Sequence, residues 1–128
     1  MKTICLDSSG WIEIAGGGPN AQAFAKALQP SHSILSSTIS LYEVSKYLTR
    51  EVGEVNAGEL LAFIRNYPVI AVTEDLALRA AELSARHKLA MADSLIYATS
   101  LAQNAILWTQ DDDFENLPHV KYFPKKQP

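Results

Sequence analysis

Acidic side chains are the groups of this chain whose type and spacing could do chemistry. Asp111, Asp112 and Asp113 follow an apolar run in the stretch ILWTQDDDF, at residues 106–114. Two like charges about 4 Å apart repel by roughly 4 kcal/mol at an effective dielectric near 20. The triplet therefore needs either a bound cation or water around a plain surface turn, in which Asp113 could cap a short helix at 114–117.

Asp7 and Asp93 each admit a structural role and a chemical one. Asp7 follows the apolar run ICL and could cap a helix that begins at Ser8 or Ser9. The Ser9 hydroxyl could equally hold the Asp7 carboxylate in place. Asp93 opens the most apolar helical stretch, where an unpaired acid is costly to bury. A helix N-terminus stabilises an anion by about 0.3–1 kcal/mol, so simple capping also explains Asp93.

Glu43 has the strongest structural alternative of these acids. With Ser40 it forms the S-x-x-E pattern of a capping box. It also falls opposite the apolar stripe of its predicted helix, where acids are usually solvated. Its neighbours on that face are Lys46, Tyr47 and Arg50, which could form a surface salt-bridge face with it.

Short apolar runs and helical patterns alternate along the chain and must position these acids. Strands are predicted at 3–6, 33–35, 69–72 and 105–108, with a fifth at 120–123. Helices are predicted at 21–28, 40–52, 56–66, 75–87 and 92–103. The strands are continuously apolar, which is typical of a parallel sheet covered on both faces. We therefore predict an α/β fold with a central, mostly parallel sheet of four to five strands.

The predicted topology brings several of these acids to one edge of the sheet, beyond the carboxyl ends of the strands, where ligands bind in such folds. Asp7 and Asp111 end the first and fourth strands, and Asp93 opens the helix that leads to the fourth. Only Glu43 comes from elsewhere, on the helix after the second strand. Converging carboxylates repel unless they are protonated or bridged by a divalent ion. Oxygen ligands favour Mg²⁺ or Mn²⁺, and zinc is disfavoured because Cys5 lies within a strand and the histidines lack ligand spacing.

Composition bounds the class of protein. The chain has 128 residues, of which 48% are hydrophobic and 20% charged, which fits one globular domain over residues 1–128 with a frayed tail at 124–128. Its apolar runs are too short for a membrane span, and a lone cysteine excludes a disulfide framework, so we expect a cytoplasmic protein without a membrane partner. The net charge of −3 means that nucleic-acid binding would need a local basic patch and a metal.

Four blocks, in order, resemble the PIN-domain ribonucleases, specifically the small VapC-type toxins of toxin–antitoxin pairs. The blocks are LDSSGWIE, STISLYEVSK, ADSLIYATSLAQNAILWTQDDDF and ENLPHVKYF, and together they span nearly the whole chain. The resemblance implies a PIN-like three-layer α/β/α sandwich. Two departures are mild: Ala92 stands where many relatives carry Pro, and the glycine run at 16–18 is an unusually loose connection.

The resemblance also implies a set of site residues. The catalytic, metal-binding acids would be Asp7, Glu43, Asp93 and Asp111. Asp113 would bind the metal directly or through water, and Asp112 would be solvated. Ser9 and Thr109 fall where the family uses hydroxyls to orient carboxylates or bound water.

The function implied by the resemblance is that of an endoribonuclease toxin dependent on Mg²⁺ or Mn²⁺, which hydrolyses RNA phosphodiester bonds. Its expected partners are RNA, a cognate antitoxin and a second copy of the chain in a homodimer. Lys46 and Arg50 are candidates for contacts to the RNA backbone, and Tyr47 is a candidate for base stacking.

Two other classes of function fit the sequence less well. A catalytically silent PIN-like module that binds RNA or protein would keep the fold, but the intact set of acids argues against it. A phosphoacceptor signalling domain needs a pair of acids after the first strand and a downstream Lys. Here Asp7 is followed by Ser8 and Ser9, and no Lys lies near Thr109.

Overall fold

Five parallel strands form the centre of the computed structural model, which describes residues 2–126. They are β1 (Thr3–Leu6), β2 (Ser33–Ser37), β3 (Val69–Ile70), β4 (Ile106–Thr109) and β5 (Val120–Tyr122). Their order in the sheet is β3-β2-β1-β4-β5, and every neighbouring pair is parallel. The predicted parallel α/β sheet is therefore confirmed, although β3 is two residues shorter than predicted.

Five α-helices connect the strands in this part of the chain. They are α1 (Ser8–Gly16), α2 (Ala21–Ala25), α3 (Thr38–Ile64), α4 (Glu74–His87) and α5 (Met91–Ala102). A 3₁₀ turn, Lys26–Leu28, extends α2, and a second one, Asp112–Phe114, follows β4. The helices predicted at 21–28, 75–87 and 92–103 are confirmed to within one residue at each end.

The apolar core is split by the sheet into two clusters. One joins α4 and α5 to the face of the sheet that carries Cys5. The other joins α1, α2 and α3 to the opposite face, which carries Ile4 and Leu6. The β1 side chains Ile4, Cys5 and Leu6 are fully buried, because successive residues of a strand point to opposite faces and both faces are covered. The chain is thus a three-layer α/β/α sandwich, as predicted.

The start of α3 differs from the prediction. The Ser37 hydroxyl caps this helix by accepting a hydrogen bond from the amide of Ile39 at 3.0 Å. Ser40 lies within the helix and is fully buried, so the predicted capping box of Ser40 with Glu43 is wrong. Glu43 is therefore not explained as part of a helix cap.

The helices predicted at 40–52 and 56–66 are one element, α3, with a kink at Gly53. Gly53 has φ 82° and ψ 166°, which is outside the helical region and in a range that glycine adopts with little strain. The chain resumes its helical course directly after the kink, so no linker separates the two halves.

The C-terminal segment is only partly described. The predicted frayed tail at 124–128 extends beyond residue 126, and its last two residues lie outside the described ones. Before that point, the carbonyl of Pro124 accepts a hydrogen bond from Asn20 Nδ2 at 3.0 Å. Across residues 2–126, no helix combines the length and the apolar character that a membrane crossing requires.

Gly10 permits a close approach of α1 to its neighbours, and this contact can be tested. A Cβ at Gly10 would lie 2.8 Å from Leu6 Cδ1 and 2.9 Å from Phe24 Cδ1, and both of these side chains are fully buried. We expect Gly10→Ala to lower the free energy of unfolding by about 1–3 kcal/mol through overpacking. Chemical denaturation measures this change.

Gly58→Ala is the matched control for Gly10→Ala. Gly58 also lies in a helix, but a Cβ there meets nothing within 4 Å. The same replacement should stabilise the protein by about 0.5–1 kcal/mol through helix propensity alone. Equal effects of the two substitutions would show that packing at Gly10 is not tight.

Candidate metal centre

Asp7 is a buried carboxylate held by hydrogen bonds from Ser8, Ser9 and Thr109. It follows β1, caps α1 and is 3% exposed. Its Oδ1 accepts from the amide of Ser8 at 2.7 Å. Its Oδ2 accepts from the hydroxyls of Ser9 at 3.0 Å and Thr109 at 2.7 Å. The two hydroxyls thus fix the direction of the carboxylate, and the cap role that the sequence allowed for Asp7 is present as well.

Glu43 faces Asp7 rather than bulk solvent. Its side chain is half-buried, and its Oε1 accepts a hydrogen bond from Ser8 Oγ at 2.9 Å. The same hydroxyl lies 3.3 Å from Asp7 Oδ1. Ser8 therefore connects the two carboxylates, and the interpretation of Glu43 as a solvated surface acid is wrong.

A second group of carboxylates lies together at the same edge of the sheet. One oxygen each from Asp93, Asp111 and Asp113 lies within 4.8 Å of the other two. Asp93 and Asp111 are half-buried and Asp113 is exposed. Asp93 occupies the first turn of α5 and lies beside Asp111 and Asp113. The N-cap residue of α5 is Ala90, so Asp93 is not the cap of this helix.

The turn after β4 is capped by Asp111 rather than Asp113. Asp111 Oδ1 accepts a hydrogen bond from the amide of Asp113 at 2.9 Å, which caps the 3₁₀ turn Asp112–Phe114. The expected capping of a helix at 114–117 by Asp113 is therefore wrong. Asp112 is exposed, as expected for a solvated residue.

The charges of these acids are not balanced by cationic side chains. Arg50 forms a salt bridge with Glu51 at 3.4 Å, away from these acids. Within residues 2–126, no cationic side chain forms a salt bridge with the clustered carboxylates. The predicted surface salt-bridge face around Glu43 is consequently absent from the described chain. Hydroxyl and amide donors orient the acids without cancelling their charge.

This arrangement raises the pKa of three of the acids, Asp7, Glu43 and Asp93. Burial is the largest cause that raises the pKa of Asp93, which reaches about 7. Neighbouring carboxylates add to that rise, in the order Asp111, Asp7, Asp113 and Glu43. Burial is also the main cause that raises the pKa of Asp7 and of Glu43, and their hydroxyl donors oppose it. Each carboxylate therefore binds a proton more readily than a solvated acid does.

The donor set fits a hard divalent cation. All candidate ligand atoms are carboxylate oxygens, which Mg²⁺ and Mn²⁺ prefer. One oxygen of each of Asp93, Asp111 and Asp113 lies within 4.8 Å of the other two, so these three acids are the candidate ligands of a single ion. Burial raises the pKa of the Cys5 thiol to about 12, which disfavours a thiolate ligand.

The predicted RNA-contacting residues lie along one shallow groove beside Glu43. The groove has a volume of about 290 Å³ and is lined by Tyr42, Glu43, Lys46, Tyr47 and Arg50. Lys46 and Arg50 are exposed. The Arg50 guanidinium carbon lies 5.3 Å from the centre of the Tyr47 ring, a distance typical of a cation–π contact. The role of all three residues in RNA binding stays a prediction.

Sequence reasoning missed three polar residues that support the acids. Ser8 connects Asp7 and Glu43, while Gln110 and Asn20 hydrogen-bond each other at 3.1 Å behind the turn that carries Asp111. A local signal existed for Ser8, which directly follows the capping acid. None existed for Asn20 and Gln110, which are 90 positions apart.

Solved structures of toxin–antitoxin proteins share this fold. A toxin–antitoxin complex from Klebsiella pneumoniae matches with a TM-score of 0.81 at 23% identity, over 96% of this chain and 99% of that chain. VapC20 of Mycobacterium tuberculosis, a sarcin-ricin loop cleaving toxin, matches with a TM-score of 0.74 at 24% identity, over 90% and 95%. VapBC2 of Rickettsia felis, bound to promoter DNA, matches with a TM-score of 0.75 at 16% identity, over 94% of this chain and 98% of that chain. At these identities the likeness shows the fold.

Sequence comparison gives the family directly. No protein with a curated description matches the chain significantly. The family model of the PIN domain, however, matches residues 4–120. That range contains the clustered carboxylates and both hydroxyls that orient Asp7. The chain therefore belongs to the PIN-domain family.

Proposed function

We propose that this protein is a metal-dependent endoribonuclease of the VapC toxin type, built as a single nuclease domain. The observation that carries the proposal is the meeting of five carboxylates from four places in the fold at one sheet edge, with no cationic partner in the described chain. In a PIN-domain chain, such a cluster is suited to a divalent ion and a phosphodiester substrate. It would act in the cytoplasm, as a homodimer, and be neutralised by a cognate antitoxin.

The structural neighbours support the toxin assignment. The Klebsiella pneumoniae structure is a toxin–antitoxin complex, and the Mycobacterium tuberculosis protein cleaves the sarcin-ricin loop. Both align over at least nine-tenths of this chain and of their own length. The comparison therefore concerns the same structural unit in each protein.

The chain's own residues would supply binding and orientation. Asp93, Asp111 and Asp113 would hold the ion, and Glu43 would face it from α3. A bound Mg²⁺ or Mn²⁺ supplies Lewis-acid polarisation of a phosphate and lowers the pKa of water. Ser9 and Thr109 would keep the Asp7 carboxylate directed into the site, because both donate to its Oδ2.

The serine hydroxyls are not arranged as nucleophiles. Ser8 Oγ and Ser9 Oγ both donate to carboxylates of the site. A nucleophilic serine needs an adjacent base that is in turn oriented by a third group. Here the acid beside Ser9 is Asp7, which also accepts hydrogen bonds from the Ser8 amide and from Thr109. Hydrolysis by water, without a covalent intermediate on the protein, fits this geometry better.

RNA would run from the carboxylates along the groove of Lys46, Tyr47 and Arg50. The groove shares Glu43 with the acidic cluster, so a strand lying in it would place a phosphate at the site. Two exposed cations would offset phosphate charge locally, as a chain of net charge −3 requires. Because Arg50 covers one face of Tyr47, an incoming base would stack on the guanidinium plane or displace it.

A cleavage assay tests the proposed activity. We expect wild-type protein with Mg²⁺ or Mn²⁺ to cut RNA and a chelator to abolish cutting. Asp93→Asn keeps the shape of the side chain but removes a ligand charge. It should lower the rate by more than about 100-fold, since changes to the outer partners of metal ligands alone cost about 10- to 100-fold.

Asp75→Asn is the matched control for Asp93→Asn. Asp75 also lies in the first turn of a helix, α4, but it is exposed and outside the carboxylate cluster. The control should cut RNA at the wild-type rate. A wild-type protein that binds RNA without cutting it would instead support the catalytically silent module.

Salt-dependent binding tests the RNA groove. Replacing Lys46 and Arg50 by Ala should weaken the binding of single-stranded RNA and flatten its dependence on salt. Two lost phosphate contacts should reduce the slope of log K against log salt by about 1.4, at about 0.7 each. Fluorescence anisotropy over a range of salt concentrations measures the slope.

Lys26 and Arg65 provide a control with the same change in charge. Both are exposed and lie outside the groove lining. Replacing them by Ala should leave the slope near that of wild type. An equal loss of slope in both double variants would mean that RNA responds to overall charge and not to this groove.

The stability of the metal-free protein should depend on pH through Asp93. Burial raises the folded pKa of Asp93 to about 7 from an ordinary value of 3.8. The folded state therefore binds more protons than the unfolded state between about pH 4 and pH 7. Stability should rise as the pH falls through 7, because protonation removes the penalty of the buried charge.

Urea denaturation in a chelator at several pH values measures this dependence. The Asp93→Asn profile should be flatter than the wild-type profile between pH 5 and 8, since Asn cannot titrate. Adding Mn²⁺ at pH 8 should stabilise wild type more than the variant. At that pH Asp93 is mostly ionised, and the bound ion offsets the negative charge that a proton offsets at lower pH. Superimposable profiles of the two proteins would contradict the charge coupling of Asp93 with its neighbours.

A further inference from the structure

Gln110 lies directly before Asp111, and its backbone amide and both polar atoms of its side chain are bonded to the region of α1 and α2. Its backbone amide donates to Ser9 Oγ at 3.1 Å. Its Nε2 donates to Glu13 Oε2 at 3.3 Å. Its Oε1 accepts from Asn20 Nδ2 at 3.1 Å. The side chain of Gln110 is thus anchored outside the acidic site, while its backbone amide contacts Ser9 within the site.

Asn20 is the buried centre of this anchor. It is 2% exposed and stands at the N-cap position of α2, where an Asn side chain usually accepts from the amides of its own helix. No such bond forms. Its Nδ2 donates instead to Gln110 Oε1 and to the carbonyl of Pro124 at 3.0 Å. A buried amide left without partners would cost about 1–3 kcal/mol, so these bonds specify one arrangement.

Glu13 completes the anchor from α1. Its Oε1 accepts from the backbone amide of Asn20 at 2.7 Å, while its Oε2 accepts from Gln110. A Cβ at Gly18 would lie 2.5 Å from the carboxylate of Glu13, so a larger residue there would have to displace that carboxylate from its hydrogen-bond partners. Within the glycine run at 16–18, which the sequence marks as a loose connection, Gly18 therefore packs closely on Glu13.

The anchor continues into the acidic site through the backbone. Thr109, on one side of Gln110, donates to Asp7 Oδ2 at 2.7 Å. Asp111, on the other side, donates its amide to Thr109 Oγ1 at 3.0 Å. Asp111 and Asp113 are carried by a short turn, and repulsion from Asp93 tends to push this turn outward. Bonds at Gln110 oppose that movement.

We propose that Gln110, held by Glu13 and Asn20, is a positioning residue that keeps Asp111 and Asp113 in the geometry that binds a divalent cation with Asp93. The inference rests on the proposed metal-dependent function. Gln110 does not contact the ion or the substrate in this role. It acts through the backbone of the turn.

The test uses Gln110→Ala, Asn20→Ala and the double variant of the full chain. Calorimetry with Mn²⁺ should show affinities about 10- to 100-fold weaker than wild type, the usual range for outer partners of metal ligands. In cleavage assays kcat should fall by about 10-fold or more while the KM for RNA stays near wild type, because the RNA groove is untouched. The double variant should be about as impaired as Gln110→Ala, since the two single variants remove one shared contact.

Amide hydrogen exchange provides a readout that does not depend on activity. In the metal-free variants the amides of residues 110–113 should exchange faster than in wild type, while those of the β1 strand should not change. Glu13→Gln keeps an oxygen acceptor for the amide of Asn20, so its Mn²⁺ affinity should fall less than that of Glu13→Ala.

Tyr97→Phe controls for a general loss of stability. It removes a hydrogen bond of 2.7 Å to the carbonyl of Pro118, outside the anchor. We expect this variant to lose stability but to keep wild-type Mn²⁺ affinity and kcat. A Gln110→Ala protein that binds Mn²⁺ and cuts RNA as wild type does would overturn the positioning role alone. A wild-type protein that neither binds Mn²⁺ nor cuts RNA would overturn the proposed function and the inference together.

Discussion

Repulsion among carboxylates at the carboxyl edge of the sheet is the constraint on which the rest of this structure depends. The fold meets it with neutral donors: Ser9 and Thr109 hold Asp7, and Ser8 connects Asp7 to Glu43. Such donors fix the direction of a carboxylate and lower the cost of its burial, but they leave the negative charge in place. The raised pKa of Asp93, caused by burial and by its acidic neighbours, is the result.

The register of the sheet decides which acids meet. β1 and β4 are neighbours in the centre of the sheet, and Leu6 pairs with Trp108. The next residues, Asp7 and Thr109, therefore come level with each other and form their 2.7 Å hydrogen bond. A shift of one residue in either strand would turn one of these side chains to the other face of the sheet. Apolar side chains on both faces fix the register, so core packing and site geometry are specified together.

The sequence predicts those parts of the fold and the site that depend on local patterns. Apolar runs located the strands to within two residues at their ends, and the rule for parallel sheets brought Asp7, Asp93 and Asp111 to one edge. Glu43 shows the limit of such patterns. Helical periodicity puts Glu43 opposite the apolar stripe and hence in solvent, whereas the packing of α3 on α1 places Ser8 against it. No local pattern could pair Asn20 with Gln110 across 90 positions.

The groups that donate hydrogen bonds to Asp7 and Glu43 are neutral, and this leaves the negative charge of the site in place. A Lys or Arg in the place of Ser9 or Thr109 would balance the acids and remove the penalty that their mutual repulsion imposes. It would also remove the negative potential that attracts a divalent ion. Sites that bind or react commonly retain such locally unfavourable charge, and the surrounding core offsets it. Here the offset comes from the two apolar clusters that enclose β1, so that the Asp7 carboxylate stays buried directly after the fully buried residues Ile4, Cys5 and Leu6. The apolar core thus stabilises the fold against the destabilising effect of the buried acids.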